Sequence, residues 1–236
     1  MIALAWAMAK KPKATKRILR SAFRPWRIPR PKPKQKELAM QENTSREAVL
    51  AEIVERELAM FLATNNEGGV SVCQTRPETF RAMRKMSHSA HDEALLVSYL
   101  DDLRQAELHG RNFMVEKYAR MDDRLPPLST SPLLDQIADA EEAFLQDAQR
   151  RYPHVIKSNG QGMFRRYLRC ELETLSSRTL ELYAVQVSRA QHEGRNLVVE
   201  RHDYLMRLLG KGGIDACNTA GDATGSAADM GKKQEH

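Results

Sequence analysis

The sequence predicts an all-α fold. It should be a helical bundle built from two tandem copies of one helical unit, with a disordered basic N-terminal arm and a disordered C-terminal tail. Three observations lead there. Apolar residues recur at helical spacing, as in Leu50, Ile53, Val54 and Phe61. Strand signals are nearly absent, Val70-Ser71-Val72 being the one short alternating run. The middle of the chain also repeats itself without a gap.

That repeat is read position by position. His109-Gly110-Arg111-Asn112-Phe113-Met114-Val115-Glu116-Lys117 is answered 84 positions later by Glu193-Gly194-Arg195-Asn196-Leu197-Val198-Val199-Glu200-Arg201. The same offset pairs Leu50 with Leu134, Ile53 with Ile137, Glu57 with Glu141, Phe80 with Phe164, Leu96 with Leu180 and Tyr99 with Tyr183. One register held over such a span implies two copies of a supersecondary unit, about 46–124 and about 130–209, related by an approximate two-fold.

In chain order, residues 1–40 read as a basic, Pro-rich, extended arm. Positions 1–36 carry twelve Lys and Arg (Lys10, Lys11, Lys13, Lys16, Arg17, Arg20, Arg24, Arg27, Arg30, Lys32, Lys34, Lys36) and no acid. Like charges and prolines oppose compaction. Taking those twelve from the 37 basic residues leaves 25 against 31 acids, so a mildly acidic body carries a cationic arm. The helical domain, 41–209, follows. Its first helix carries the Leu50 stripe, and Pro77 opens the next helix at a position that favours proline. A long helix is then expected through Leu96, Tyr99, Leu103, Ala106, Gly110 and Phe113. Mid-helix glycine costs up to about 1 kcal/mol relative to alanine, so Gly110 and Gly194 read as points where helices cross closely at the repeat axis. Leu134, Ile137, Ala138, Glu141 and Leu145 start the second copy. Residues 210–236, rich in Gly and Ala, read as the disordered tail.

Composition excludes several classes. The chain has 236 residues and three cysteines, Cys73, Cys170 and Cys217, with no Cys-x-x-Cys pair. That fits a reducing compartment and neither a zinc site nor a disulfide framework. The longest apolar run, Met1 to Ala9, falls far short of the roughly 20 residues that span a bilayer. The expected location is the cytoplasm.

At about 100° per residue, Glu57 and Glu141 point into the apolar faces of their helices. Lys117 and Arg201 point inward from the last helix of each copy, with Glu116 and Glu200 at the border of that face. Isolated buried charges are costly, so these groups should pair, within a copy or across the axis. Such pairing reads either as a register-fixing salt-bridge network or as a polar pocket for a small charged ligand. The pocket would be lined by Glu57, Glu141, Lys117 and Arg201, together with Tyr99, Tyr183, Arg111, Asn112, Arg195, Asn196, Glu116 and Glu200. A second candidate is the loop from Gly68 and Gly69 to Cys73 and Gln74, which the second copy lacks. Cys73 as nucleophile or Glu57 as general base would make an enzyme of it.

Metal and cofactor signals are missing. Di-iron bundles need Glu-x-x-His on two helices, and no Asp or Glu here has a histidine three residues on. His88 and His91, one turn apart beside Asp92, have no counterpart in the second copy. No phosphate loop, G-x-S-x-G or H-E-x-x-H occurs. The expectation is no cofactor, no metal and no transmembrane segment. Three functions remain, in order: a helical interaction or small-ligand-binding protein with a charged centre at an internal pseudo-two-fold; an enzyme using the Gly68–Gln74 loop; and an adaptor whose residues 1–36 bind nucleic acid or an anionic membrane surface.

The residues Glu57, Met60-Phe61, Asn66-Glu67-Gly68-Gly69, Cys73-Gln74, Phe80, Met83-Arg84, Ser98-Tyr99, Asp102-Leu103, Ala106, Gly110-Arg111-Asn112 and Glu116-Lys117-Tyr118-Ala119-Arg120-Met121 form a further pattern. Over about residues 48–209 this pattern resembles the bacterial domain-of-unknown-function family 4125. The second copy departs from it, with His202-Asp203 where the first has Tyr118-Ala119. The resemblance implies a cytoplasmic bacterial protein and no particular activity.

Overall fold

The computed structural model describes residues 33–64, 74–157 and 162–221, with 33–44 as backbone only. Every regular element among them is a helix: α1 (Pro33–Leu62), α2 (Pro77–Ser89), α3 (Glu93–Leu108), α4 (Phe113–Met121), α5 (Leu133–Arg151), α6 (Met163–Leu172), α7 (Ser177–His192), α8 (Leu197–Leu208) and a short α9 (214–221). Pro77 occupies the first turn of α2. The basic arm before residue 33 and the segment after 221 lie outside the described residues. Both boundaries differ from expectation. Helix α1 begins inside the predicted arm, and α9 inside the predicted tail, where Ile214 is buried against the core and its N–H is accepted by Asp203 at 2.9 Å.

The expected long helix is in fact two. Helix α3 stops at Leu108 and α4 starts at Phe113. Between them Gly110 takes φ +66°, with Arg111 N–H donating to Ala106 at 2.8 Å and Gly110 N–H to Glu107 at 3.1 Å. This paired closure needs a left-handed residue, which glycine supplies without a Cβ penalty. The same closure recurs after α7, where Gly194 has φ +66° and Arg195 N–H donates to Ala190 at 2.9 Å. A Cβ at either glycine would meet nothing within 4 Å. These glycines therefore turn the chain, and the expected close helix crossing is not there.

Asn112 and Asn196 then start the next helices. Each side-chain oxygen accepts from two backbone N–H groups, at 2.9 and 3.1 Å in α4 and at 3.0 and 3.1 Å in α8. Each also reaches back with its amide, Asn112 to Met60 O at 2.8 Å and Asn196 to Phe144 O at 2.9 Å. One residue type thus caps one helix and fastens it to another.

Helix α1 packs on α2, α3 and α4, and α5 packs on α6, α7 and α8. Contacts between these two groups run through α3 with α7, α2 with α8, and α4 with α6. The second helix of each group therefore leans on the fourth helix of the other. Two apolar clusters fill the interior, one around Ile53, Leu96 and Leu103, the other around Ile137, Leu180 and Leu197. Polar bonds stitch the seam. Ser98 and Thr179 hydroxyls meet at 2.7 Å, and the buried Gln186 donates to Ala90 O at 2.7 Å while accepting from Asp92 N–H at 3.1 Å.

Candidate functional site

The two repeated glutamates are fully buried, each at 0% exposure. Helix periodicity sends Glu57 inward from α1 and Glu141 inward from α5, as their stripes require. Each accepts a tyrosine hydroxyl from the third helix of its group: Tyr99 at 2.6 Å for Glu57 and Tyr183 at 2.9 Å for Glu141. Their cations come from different places.

Glu141 pairs with Arg201 of α8, whose two terminal nitrogens donate at 2.7 and 2.6 Å. That is the expected partner from the same group. Glu57 does not pair with Lys117. Its partners are on α2: Arg84 donates through Nε at 2.8 Å and again through a terminal nitrogen, and His88 Nε2 lies 3.1 and 3.2 Å from the two carboxylate oxygens. Arg84 also donates to Glu171 of α6 at 2.7 Å. Lys117, 2% exposed, donates to Tyr167 of α6 at 2.7 Å and reaches Glu171 at 3.4 Å, with the Tyr118 and Tyr167 rings within 5.1 and 4.4 Å of its ammonium. The chain Tyr99, Glu57, Arg84, Glu171, Lys117, Tyr167 therefore crosses from α1–α4 into α6.

Titration follows this geometry. Burial alone would raise the Glu57 carboxyl, but Arg84 and His88 outweigh it and hold the group well below the usual carboxylate range. Glu171 behaves alike: Arg84 and Lys117 overcome burial and bring it to about 2. Burial first, then the adjacent carboxylate, pushes both Tyr99 and Tyr183 above ordinary phenols. Glu57 stays ionised with its oxygens occupied by arginine, imidazole and phenol donors. A carboxylate so held is a weak base.

The remaining candidates lie elsewhere. Arg111 donates twice to Glu116 at 2.8 and 2.7 Å, and Arg195 twice to Glu200 at 2.8 Å. These are local pairs at the starts of α4 and α8, made by half-buried Glu116 and Glu200. Asn112 and Asn196 are helix caps. Gly68, Gly69 and Cys73 lie outside the described residues. Gln74 donates to Phe61 O at 3.1 Å and Thr64 O at 2.9 Å, tying the end of that loop to α1. Among the described residues no group of three or more His, Cys, Asp or Glu could hold a metal, and no helix is long and apolar enough to cross a membrane.

His88 and His91, one turn apart in the sequence, belong to a feature of this centre that repetition does not reveal. His88 Nδ1, His91 Nδ1 and Arg201 Nε are buried polar atoms with no hydrogen-bond partner. They are neighbours. The His88 and His91 rings are 5.6 Å apart, His91 stands edge-on to Tyr183 at 4.9 Å, and Arg201 donates to the Tyr183 hydroxyl at 3.2 Å. Arg46 of α1 covers this corner, donating to His91 O at 3.0 Å and Ser89 O at 2.6 Å. Burial, then the neighbouring Arg201, His88, Arg84 and Arg46, pull the His91 imidazole far below its ordinary value. The available signal was His88 and His91 spaced one turn apart, with His88 eight residues after Phe80 on the inward face of α2.

Fold and site together define an all-helical protein whose two groups of four helices share buried ion pairs. Residues 47–219 match the family described as "Protein of unknown function (DUF4125)", and the chain belongs to that family. No curated protein and no solved structure matches it.

Proposed function

We propose that this protein is a cytoplasmic small-ligand-binding protein made of two copies of one four-helix unit, and that its ligand seats between the α2 end of one and α8 of the other. The observation that carries the reading is the trio of unpartnered buried nitrogens, His88 Nδ1, His91 Nδ1 and Arg201 Nε. Buried polar groups are nearly always hydrogen-bonded, and an unmet one in a native interior asks for a missing partner. The repeated glutamates, by contrast, have their partners already.

Other observations support the duplicated unit. Cap, chain turn, tyrosine bond and Arg–Glu pair each recur 84 residues apart, and the seam contacts are reciprocal, α2 with α8 and α4 with α6. Cys170 and Cys217 are free thiols, which suits a reducing compartment. The test is a screen of small acids, amines, amino acids and neutral sugars, read by the imidazole NMR signals of His88 and His91. A saturable shift from at least one compound is expected. A panel in which none moves either imidazole overturns the reading.

A further inference from the structure

We infer that His88, His91 and Arg201 bind a compact oxyanion, a small carboxylate or phosphate, between α2 and α8. The inference rests on the binding reading above and adds the ligand's chemistry.

The first argument is the hydrogen-bonding capacity of the three atoms. Arginine has five N–H donors and no acceptor. Arg201 uses its terminal nitrogens on Glu141 and Tyr183, and its remaining Nε–H points at nothing. Only an acceptor can satisfy it. His91 Nδ1, also unpartnered and beside the same Tyr183, is a second donor in its Nδ1–H tautomer. His88 Nε2 lies against Glu57 and Arg84, and its Nδ1 is the third unpartnered nitrogen of the group.

The second argument is the surrounding charge. Arg201, Arg84, Arg46 and His88 all bear on His91, and no carboxylate offsets them among its principal neighbours. Glu57 and Glu141 are turned toward their own arginines, and Glu171 toward Arg84 and Lys117. Cations gathered around a buried point favour an anion beside them, and that attraction strengthens as water is excluded.

The third argument is placement. Histidines from the α2 end of the first group and an arginine from α8 of the second meet here, and α2 packs along α8. Neither histidine has a counterpart 84 residues on: those positions are Leu172 and Leu175. The site is therefore single, sitting off the midline in an otherwise reciprocal arrangement.

The experiment titrates the full chain with sodium acetate, sodium phosphate and tetramethylammonium chloride at constant ionic strength, following both imidazoles by NMR. Acetate or phosphate should saturate the His91 signal and raise the pH at which it titrates, since a bound anion reverses the local potential. Arg201→Lys keeps a cation beside Glu141 but removes Nε–H, and should weaken that binding about tenfold or more, as expected for losing a hydrogen bond to a charged group. Should Arg201→Lys fail to fold, His91→Phe keeps the ring contact with Tyr183 and removes Nδ1; it should lose the anion's saturable effect on His88. If only cationic or neutral compounds shift the imidazoles, the oxyanion is wrong while the binding reading stands. If acetate and phosphate bind both variants as well as the unaltered protein, they bind elsewhere and the proposed site is wrong.

Discussion

Glu57 and Glu141 occupy equivalent places in α1 and α5, both sealed from water and both bonded by a tyrosine one helix pair away, yet they are neutralised differently. Glu141 has one cation, Arg201, in a closed pair. Glu57 shares Arg84 with Glu171, which in turn holds Lys117. The comparison teaches that matching backbone positions do not fix the wiring of buried charge. One carboxylate depends on a single partner, while the other belongs to a chain of ions that can redistribute when a member is lost.

The largest expected effect tests that difference directly. Removing one partner of a buried pair costs about 3–5 kcal/mol because it strands the other charge. Glu141→Ala leaves Arg201 with no carboxylate and should lose that full amount in urea unfolding. Glu57→Ala leaves Arg84 its bond to Glu171, so its loss should be the smaller of the two. Equal losses, or a greater loss at Glu57, would mean that the extended chain gives no protection.

Half of this centre was legible in the sequence. Glu57, Glu141, Tyr99, Tyr183 and Arg201 sit at repeated or matching positions, and inward-facing charges on apolar stripes must pair. Arg84, Tyr167 and Glu171 escaped because the positions 84 residues away hold Leu168, Met83 and Ser87, while His88 was legible only by its spacing from His91. A search by repetition cannot see residues that occur once. The broken α3–α4 helix was hidden for a geometric reason. The interruption, 109–112, is close to one helical turn, so the apolar stripe stays in phase across a gap that is not helical. Helix α9 was obscured by composition, since its small and polar residues resemble a loop until Ile214 is seen docked in the core.

Acid should separate the two centres next. The folded value of Glu171 is about 2, against roughly 4.3 for an unperturbed glutamate. Its stabilisation is therefore fully present above the unfolded value and lost as pH falls through 4 toward 2, amounting to about 3 kcal/mol at 1.36 kcal/mol per unit. Glu57, also lowered, adds in the same direction. Histidine acts earlier. Burial lowers both His91 and His202, so the unfolded chain takes up protons first and stability begins to fall below about pH 6.5. Unfolding free energy measured from pH 7 to pH 3 should decline in two stages. Glu171→Gln should flatten the lower stage and His91→Phe part of the upper one. A single decline unaffected by either substitution would contradict this assignment.

The smallest effect sharpens the comparison where the two groups agree. Asn112 and Asn196 make the same bonds: two backbone N–H groups accepted at a helix start and one carbonyl of the group's first helix reached by the amide. Replacing such a cap by alanine costs about 1 kcal/mol, within roughly 0.5–2. Asn196 has one bond more, donating to Asp147 at 3.0 Å, and lies nearer to full burial. Asn196→Ala should therefore cost slightly more than Asn112→Ala, both well below the loss at Glu141, as read by the midpoint of urea unfolding. Near-equality here, beside unequal losses at the glutamates, would place the divergence of the two groups in their buried ions and leave their local helix geometry alike. A cap loss that differed as widely as the glutamate losses would instead mean that the groups differ throughout, and the buried charges would lose their special standing.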